Sequence, residues 1–507
     1  MQVGIDLGTT YSLIARMDQD GRPGLLPDRA DRELVQTPST VYVDGRAAFV
    51  GGIVDVLLEQ DPDLPVVRFF KRSLGETAPL LFDKHGNGWL PESIAALVLK
   101  KLRGDAENFT MLTVDGATIS VPAHFNDLQR RAVQAAALLA DLPLTGLVDE
   151  PVAAALHYGV TRGVRDRSML VFDWGGGTFD ATVMTLTDAG VTVLATGGVT
   201  TLGGKELDDA ISTRVLEQFE RVHGRGAPLS ARALLELQRT SERLKIELCT
   251  PGVQHARDMV MLAGEAIEVR LRRDEFLADI AVHLDRAEAS ALECVEQAGL
   301  GPADIDDVLL VGGSSLVPAV EERLRALFSR AGQQVLHHEP SKAVAFGAAL
   351  RAAQLAGEAE RFEVPPEFRG VTGYAVGVRT ADVEGRGPAI DTLIKQNMPL
   401  PLKVTKTYYS TRADQQRIVL DLVQFRAREE ATAVSLGLLV IGPLPSPRQN
   451  YPVQVTVEAL EDGTIHVQAS DRQTGIALQQ TFGRRADGFG HLAAQHALVR
   501  ATIINNL

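Results

Sequence analysis

Residues 4–12, GIDLGTTYS, recur in altered form at residues 171–180, VFDWGGGTFD, and this recurrence constrains the chain more than any other feature. Each copy runs as an apolar strand into an aspartate (Asp6, Asp173), turns through glycine and threonine, and leaves on a second strand. One such turn suits any hairpin. Two in matched contexts are what two similar halves facing one another require.

A triphosphate held between such halves needs close backbone approach, several N–H donors and oxygens for a hydrated divalent cation. Glycine allows that approach because no Cβ intervenes. Gly8 supplies it on one side, and Gly175, Gly176 and Gly177 on the other. Thr9, Thr10 and Thr178 add hydroxyls, and Asp6 and Asp173 are placed to hold a metal's water shell. The chain has no GxxxxGK[ST] pattern, so its solution to the charge problem is a different one. Two further glycine pairs stand before expected helix N-termini, Gly203 and Gly204 in TTLGGKELDD, and Gly312 and Gly313 in LLVGGSS. Amides and the helix dipole favour a phosphate or ribose there, although a plain strand-to-helix turn explains each pair too. Hydrolysis also needs a cation and an oriented water. Lys71 in VVRFFKRSLG is the candidate cation, with Arg68 and Arg72 as rivals and a solvated surface lysine as the ordinary fate. Glu150 in VDEPVAAAL suits either metal-bound water or the N-terminus of the helix it precedes.

Strand and helix patterns alternate up to about residue 356, which predicts an α/β region. Strands are expected over 3–7, 12–17, 118–122, 169–172 and 308–311. Helices are expected over 127–140, capped by Asn126 with Leu128, Ala132, Ala135, Leu138 and Leu139 on its apolar face, and over 230–248 and 273–298. FEVPPEFR near 361–369 reads as a linker. Beyond it, period-two patterns over 405–409, 418–423, 451–459 and 464–469 predict a compact β module near 373–480, and 481–507 holds at most one short helix. A formal charge of −14 argues against a general nucleic-acid binder. Cys249 and Cys294, the two cysteines, are so few that they argue against a disulfide framework or a zinc site, and they suit a reducing cytosol. The opening MQVGIDLGTT lacks the pattern of a signal peptide, and no run of 18 apolar residues exists, so a cytoplasmic, membrane-free protein is expected.

At this point the motifs resemble a family. GIDLGTTYS, FFKRSLG, VPAHFND, DEPVAAALHYG, VFDWGGGTFD, LGGKELD, LLVGGSS and AVAFGAAL stand in the order of DnaK-type (seventy-kilodalton heat-shock) chaperones over residues 1–356, with a weaker likeness over 370–480. The resemblance implies an α/β fold: a two-lobed, actin-like ATPase domain with duplicated ribonuclease-H-like halves (1–362), a linker (363–372), a β-sandwich peptide-binding domain (373–480) and a short tail without a helical lid (481–507). It implies ATP or ADP with Mg²⁺, and K⁺ as a second ion. By position, Lys71 is the catalytic lysine and Thr178 the γ-phosphate contact. Asp6 and Asp173 order the magnesium waters, with Glu150 close by and Asp180 supporting. Thr9, Thr10 and Tyr11 hold phosphates. Glu242, Lys245 and Cys249 in SERLKIELC face Gly312, Gly313 and Ser314 across the adenosine. Pro122 becomes the proline that reports nucleotide state, and Ile418 and Leu420 are candidates for a peptide pocket, with plain core as the alternative. The expected activity is slow, ATP-dependent chaperoning of unfolded polypeptide in stress response, with a nucleotide exchange factor as a candidate partner. The alternative is a nucleotide-gated scaffold with one fixed partner. A small-molecule kinase would leave the β module without a role.

Departures narrow this expectation. The aligned linker, Pro366-Glu367-Phe368-Arg369-Gly370, has one large apolar side chain where the family has several, and each buried one contributes about 1.5–3 kcal/mol. Leu138 and Gly146 stand where the family carries arginines for a J-domain co-chaperone, which argues against a standard J-domain partner. Leu316 replaces the adenine-stacking arginine, Ser341 and Lys342 replace an acidic pair, and Ala381 and Arg412 stand where two residues arch over bound peptide.

Overall fold

The structure is a computed structural model that describes residues 1–163, 166–223, 228–362, 367–379, 389–426, 433–478, 480–483 and 490–505. The repeated turns organise it. β1 (Gln2–Asp6) pairs antiparallel with β2 (Tyr11–Met17), which carries β3 (Pro23–Leu25) on its far side. β4 (Ala47–Val50) belongs to a small separate sheet, and α1 (Pro91–Thr110) follows it. β5 (Gly116–Val121) lies parallel to β1, and β6 (Leu144–Asp149) parallel to β5. Every residue of β5 is buried, as a strand covered on both faces must be.

α2 (Asp127–Leu139) connects these two strands. Asn126 caps it: its side chain accepts the Gln129 N–H at 3.0 Å, while Gln129 Oε1 accepts the Asn126 N–H at 3.1 Å. Its buried stripe is rotated from the expected one. Ala132, Val133, Ala136, Ala137 and Leu139 face the core, Leu138 is exposed, and Leu128 packs against the β module instead. α3 (Glu150–Arg162) starts directly after β6.

The second half repeats the order. β7 (Arg167–Trp174) pairs antiparallel with β8 (Phe179–Leu186), and β8 with β9 (Gly190–Val199). After α4 (Gly204–His223) and α5 (Ala231–Cys249) come α6 (Arg273–Asp279) and α7 (Ala281–Gln297). A single helix was expected over 273–298; the chain breaks at Ile280, whose ψ is 2°, while Phe276, Ile280 and Leu284 all remain in the core. β10 (Asp307–Val311) then lies parallel to β7, and β11 (Gln334–His337) parallel to β10. The sheet orders β6-β5-β1-β2-β3 and β11-β10-β7-β8-β9 correspond strand for strand. α8 (Ala343–Leu355), alanine-rich and buried along most of its length, wedges between the halves. A Cβ on Gly347 would meet the Ala153 carbonyl of α3 at 1.8 Å, and one on Gly4 of β1 the Ala349 nitrogen of α8 at 2.0 Å.

β12 (Glu367–Arg369) joins the second sheet beside β9, inside the segment expected to be a linker. Of that segment, residues 363–366 lie outside the described residues, as does Ala381. The β module follows: β13 (Ala375–Arg379), β14 (Ile390–Ile394), β15 (Leu402–Tyr409), β16 (Ile418–Phe425), β17 (Val434–Ile441), β18 (Pro452–Ala459), β19 (Ile465–Asp471) and β20 (Gln480–Gly483). They form sheets β14-β13-β16-β17-β20 and β15-β18-β19, whose inward residues share one core. Ile418 and Leu420 belong to that core, the plainer of the two alternatives for them.

The tail returns to the first half. α9 (Gly490–Ala501) buries Val499 completely, and β21 (Ile503–Asn505) pairs parallel with β4. Lys100 Nζ of α1 donates to the carbonyls of Val499 at 3.0 Å and Thr502 at 2.6 Å.

Candidate functional site

The β1–β2 and β7–β8 turns touch. A Cβ on Gly176 would sit 2.0 Å from Thr10 Oγ1, and one on Gly177 2.5 Å from Thr9 Cγ2. Above them opens a cleft of about 620 Å³. Asp6, Gly8, Thr9, Thr10, Tyr11, Lys71, Glu150, Asp173, Gly175, Gly176, Thr178, Gly204, Glu242, Lys245, Gly312, Gly313 and Ser314 all line it. Three expected residues do not. Gly177 turns its carbonyl to Arg72 (2.6 Å), and Gly203 packs so closely that its Cβ would lie 2.4 Å from Gly177 N. Cys249 ends α5 away from the cleft wall, its thiol pushed up to about 11 by burial.

Geometry separates Lys71 from its rivals. It lies in a 3₁₀ turn, Phe70–Ser73, entered through Phe69 in a left-handed backbone (φ 56°). Its side chain is buried, ion-paired with Glu150 and 5.9 Å from the Phe125 ring centre. Arg68 is instead paired with Asp55 at 2.7 Å. Arg72 reaches the second half, holding Glu206 at 2.8 and 2.7 Å.

Around that one lysine stand four buried or cleft-facing carboxylates. Asp6 accepts the Ser120 hydroxyl at 3.0 Å. Asp173 stands opposite Asp180 in the hairpin register, and Asp180 Oδ1 lies 2.7 Å from His124 Nδ1. Burial raises the Asp6 carboxyl, against the pull of Lys71. Burial, with Asp6 and Asp180 adding to it and Lys71 opposing, pushes Glu150 up to about 7. Burial lifts Asp173 well above the carboxylate range, reinforced by Glu150, Asp180 and Asp6. Asp173 Oδ2 is buried and has no hydrogen-bond partner among the described residues. Such an excess of buried carboxylate fits a hydrated divalent cation, which would restore the ionised forms.

The other wall braces the second turn. Gly204 N donates to Gly175 O at 3.0 Å, Lys205 N to Gly176 O at 3.0 Å and Ser314 Oγ to Gly175 O at 2.8 Å. Gly312 has φ 81°, and a Cβ there would lie 2.4 Å from Trp174 O, so only glycine serves. Lys245 Nζ lies 2.8 Å from Asp208, whose carboxyl burial still pushes up to about 6.

Sequence reasoning missed Asp208 and the links between the halves, Arg239 to Asp55 (3.0 Å) and Arg72 to Glu206. Glu206 had a visible signal: it follows Gly203 by three and accepts its N–H at 2.8 Å. Of the departures, Leu138, Leu316 and Arg412 are exposed, Gly146 sits at a register shift in β6, and Ser341 lines the cleft. Pro122 is buried just after β5.

The β module contacts the first half through α2. Ile465 N donates to Asp127 Oδ1 at 2.7 Å, Asp127 N to Gln424 Oε1 at 2.8 Å and Arg130 Nη1 to Asp462 O at 3.0 Å. Arg130 Nη2 also reaches Asp149 at 2.8 Å, the residue before Glu150.

This is a mixed α/β protein with a duplicated pair of glycine turns at an acidic cleft, joined to a β module. The family model described as Hsp70 protein matches residues 70–488. Similar curated proteins are the chaperone proteins DnaK of Thermosipho melanesiensis (31% identical over 481 residues) and Thermotoga neapolitana (31% over 480), each alignment covering 93% of this chain and 78% of the relative. That of Thermotoga petrophila is 30% identical over 480 residues. The chain belongs to the Hsp70 family.

Proposed function

We propose that this Hsp70-family protein is an ATP-dependent chaperone that binds and slowly hydrolyses ATP and holds exposed, extended segments of unfolded polypeptide. The observation that carries the reading is the meeting of two glycine turns beside a carboxylate cluster with one buried lysine and an unpartnered Asp173 oxygen. In this reading residues 1–362 form a two-lobed actin-like clamp, 363–372 a linker and 373–480 a β-sandwich peptide binder.

Asp6 and Asp173 would hold magnesium through water, and the ion neutralises phosphate charge when bound. Lys71, desolvated and tethered by Glu150, keeps its ammonium aimed into the cleft without reorganisation. Glu150, ionised when the cation is bound, would accept a proton from a water beside it. Thr178 closes the second glycine turn and lines the cleft, where a terminal phosphate would end. Glu242 and Lys245 on α5 and Gly312, Gly313 and Ser314 opposite would bracket the adenosine. The run Asp462–Arg130–Asp149–Glu150 supports coupling between peptide module and catalytic pair.

Calorimetry of the purified chain with ATP and ADP tests the clamp: magnesium-dependent affinity is expected, and its absence would end the reading. Turnover measured with a panel of extended apolar peptides tests the chaperone half. Broad stimulation is expected, and indifference to every peptide would restrict the protein to nucleotide chemistry.

A further inference from the structure

Beside α3, among residues that do not themselves line the cleft, three ligand-bearing side chains converge. The donor atoms of His157, His338 and Glu339 lie within 4.8 Å of one another. His157 stands midway along α3, whereas His338 and Glu339 directly follow β11. Thr161 Oγ1 lies 3.2 Å from His157 Nδ1 and so directs the other ring nitrogen inward, where Nε2 lies 2.9 Å from Glu339 Oε2. The two imidazoles stack with centres 5.0 Å apart, and His338 also meets the Tyr158 ring edge. His338 is 8% exposed, yet its Nε2 has no hydrogen-bond partner among the described residues. A buried polar atom left unpaired costs about 1–3 kcal/mol, so this nitrogen lacks something it was built to meet. Glu339 adds a second cost, a left-handed backbone with φ 46°.

We infer that His157, His338 and Glu339 form a binding site for a transition-metal cation, with Zn²⁺ preferred over Mg²⁺. Two imidazole nitrogens and one carboxylate oxygen make a donor set that suits Zn²⁺ and is foreign to Mg²⁺, which takes oxygen ligands. The half-exposed Glu339 side chain gives the ion a path in and leaves its fourth position to water. Zinc–nitrogen bonds of about 2.0–2.1 Å require the donors to draw closer by rotation of the side chains. The nearby Arg162 guanidinium opposes a cation and limits the affinity. The site would clasp α3, which begins with Glu150, to the turn whose Pro340 carbonyl accepts the Gly312 N–H at 3.0 Å. This inference does not rest on the nucleotide reading.

The test uses tag-free, chelator-stripped full-length protein in excess Mg²⁺, which occupies oxygen-rich sites, with Zn²⁺ titrated by calorimetry and bound metal counted after dialysis. The native chain should hold one more equivalent than His338→Gln, at micromolar or tighter affinity. His157→Gln should lose the same equivalent, and the more exposed Glu339→Gln should weaken it about tenfold. Circular dichroism confirms that each variant is folded. Equal zinc content in the native chain and a folded His338→Gln variant would overturn the assignment.

Discussion

The two glycine turns share strand order and sequence pattern, but they carry charge differently. Asp6 ends β1 opposite the apolar Leu13, receives the Ser120 hydroxyl and has Lys71 as a compensating cation. Asp173, one residue before the end of β7, stands opposite another acid, Asp180, and has one buried oxygen without a hydrogen-bond partner among the described residues. Lys71 and Glu150 both come from the first half. Duplication therefore supplies the geometry twice, whereas the charge problem is concentrated on the second aspartate. A symmetric fold has become an asymmetric site, and the asymmetry can be tested one side at a time.

Lys71→Ala should have the largest effect. Single-turnover hydrolysis should fall more than a hundredfold, the scale of losing a preorganised charge in a dry site, while nucleotide affinity measured by calorimetry stays within a few-fold. Near-native turnover would remove this lysine from the chemistry. Next come the paired changes Asp6→Asn and Asp173→Asn. Each should weaken magnesium-dependent nucleotide binding about tenfold or more, but Asp173→Asn relieves the larger buried repulsion, since three carboxylates press on Asp173 while Lys71 offsets the charge of Asp6. Without nucleotide and magnesium its thermal midpoint should rise, by the equivalent of about 1 kcal/mol, and Asp6→Asn should not match it. Equal shifts for both would erase the distinction between the halves.

Much of this arrangement was legible in the sequence because it depends on short, strongly patterned segments. Asn126 announced its helix and caps it as its position suggested; Ser230, expected as the first residue of the next helix, caps that helix instead. The paired hairpins announced the matched sheets. What escaped depended on contacts distant in the chain. The break at Ile280 was invisible because Phe276, Ile280 and Leu284 keep a helical spacing through it. Arg68, Lys71 and Arg72 are equivalent cations in a sequence, and only burial tells which one meets Glu150. Asp208 carries no motif. The strand pairing of β21 with β4 rests on three residues, too few to encode a register.

A smaller effect should separate neighbouring glycines of the second turn. Gly176→Ala places a methyl 2.0 Å from Thr10 Oγ1, so the opposing turn must yield, whereas Gly175→Ala meets nothing nearer than Thr178 O at 3.8 Å. Gly176→Ala should cost about 1–2 kcal/mol of stability or the matching loss of nucleotide affinity, and Gly175→Ala under about 0.5 kcal/mol in denaturant unfolding. If the two variants behave alike, the turns do not touch in solution.

The mildest expected effect is a slope. Glu150 is pushed up to about 7 in the folded chain against an ordinary 4.5. Between those values the folded state binds more protons than the unfolded one, so stability falls as pH rises. The contribution is fully present below 4.5, is lost as pH climbs to about 7, and is level above that. Its steepness cannot exceed about 1.4 kcal/mol per pH unit for one group. Asp173 and Asp6, both raised, act with the same sign. The nucleotide-free, chelator-treated native chain should therefore lose stability between pH 5 and 7 relative to Glu150→Gln, with the two denaturant-unfolding curves parallel above pH 8. Saturating magnesium and nucleotide should flatten the native curve, because the cation favours the ionised carboxylates. Parallel curves across the whole range would place Glu150 in a setting no different from water. Glu150 could then no longer be read as a carboxyl raised by burial beside the second aspartate.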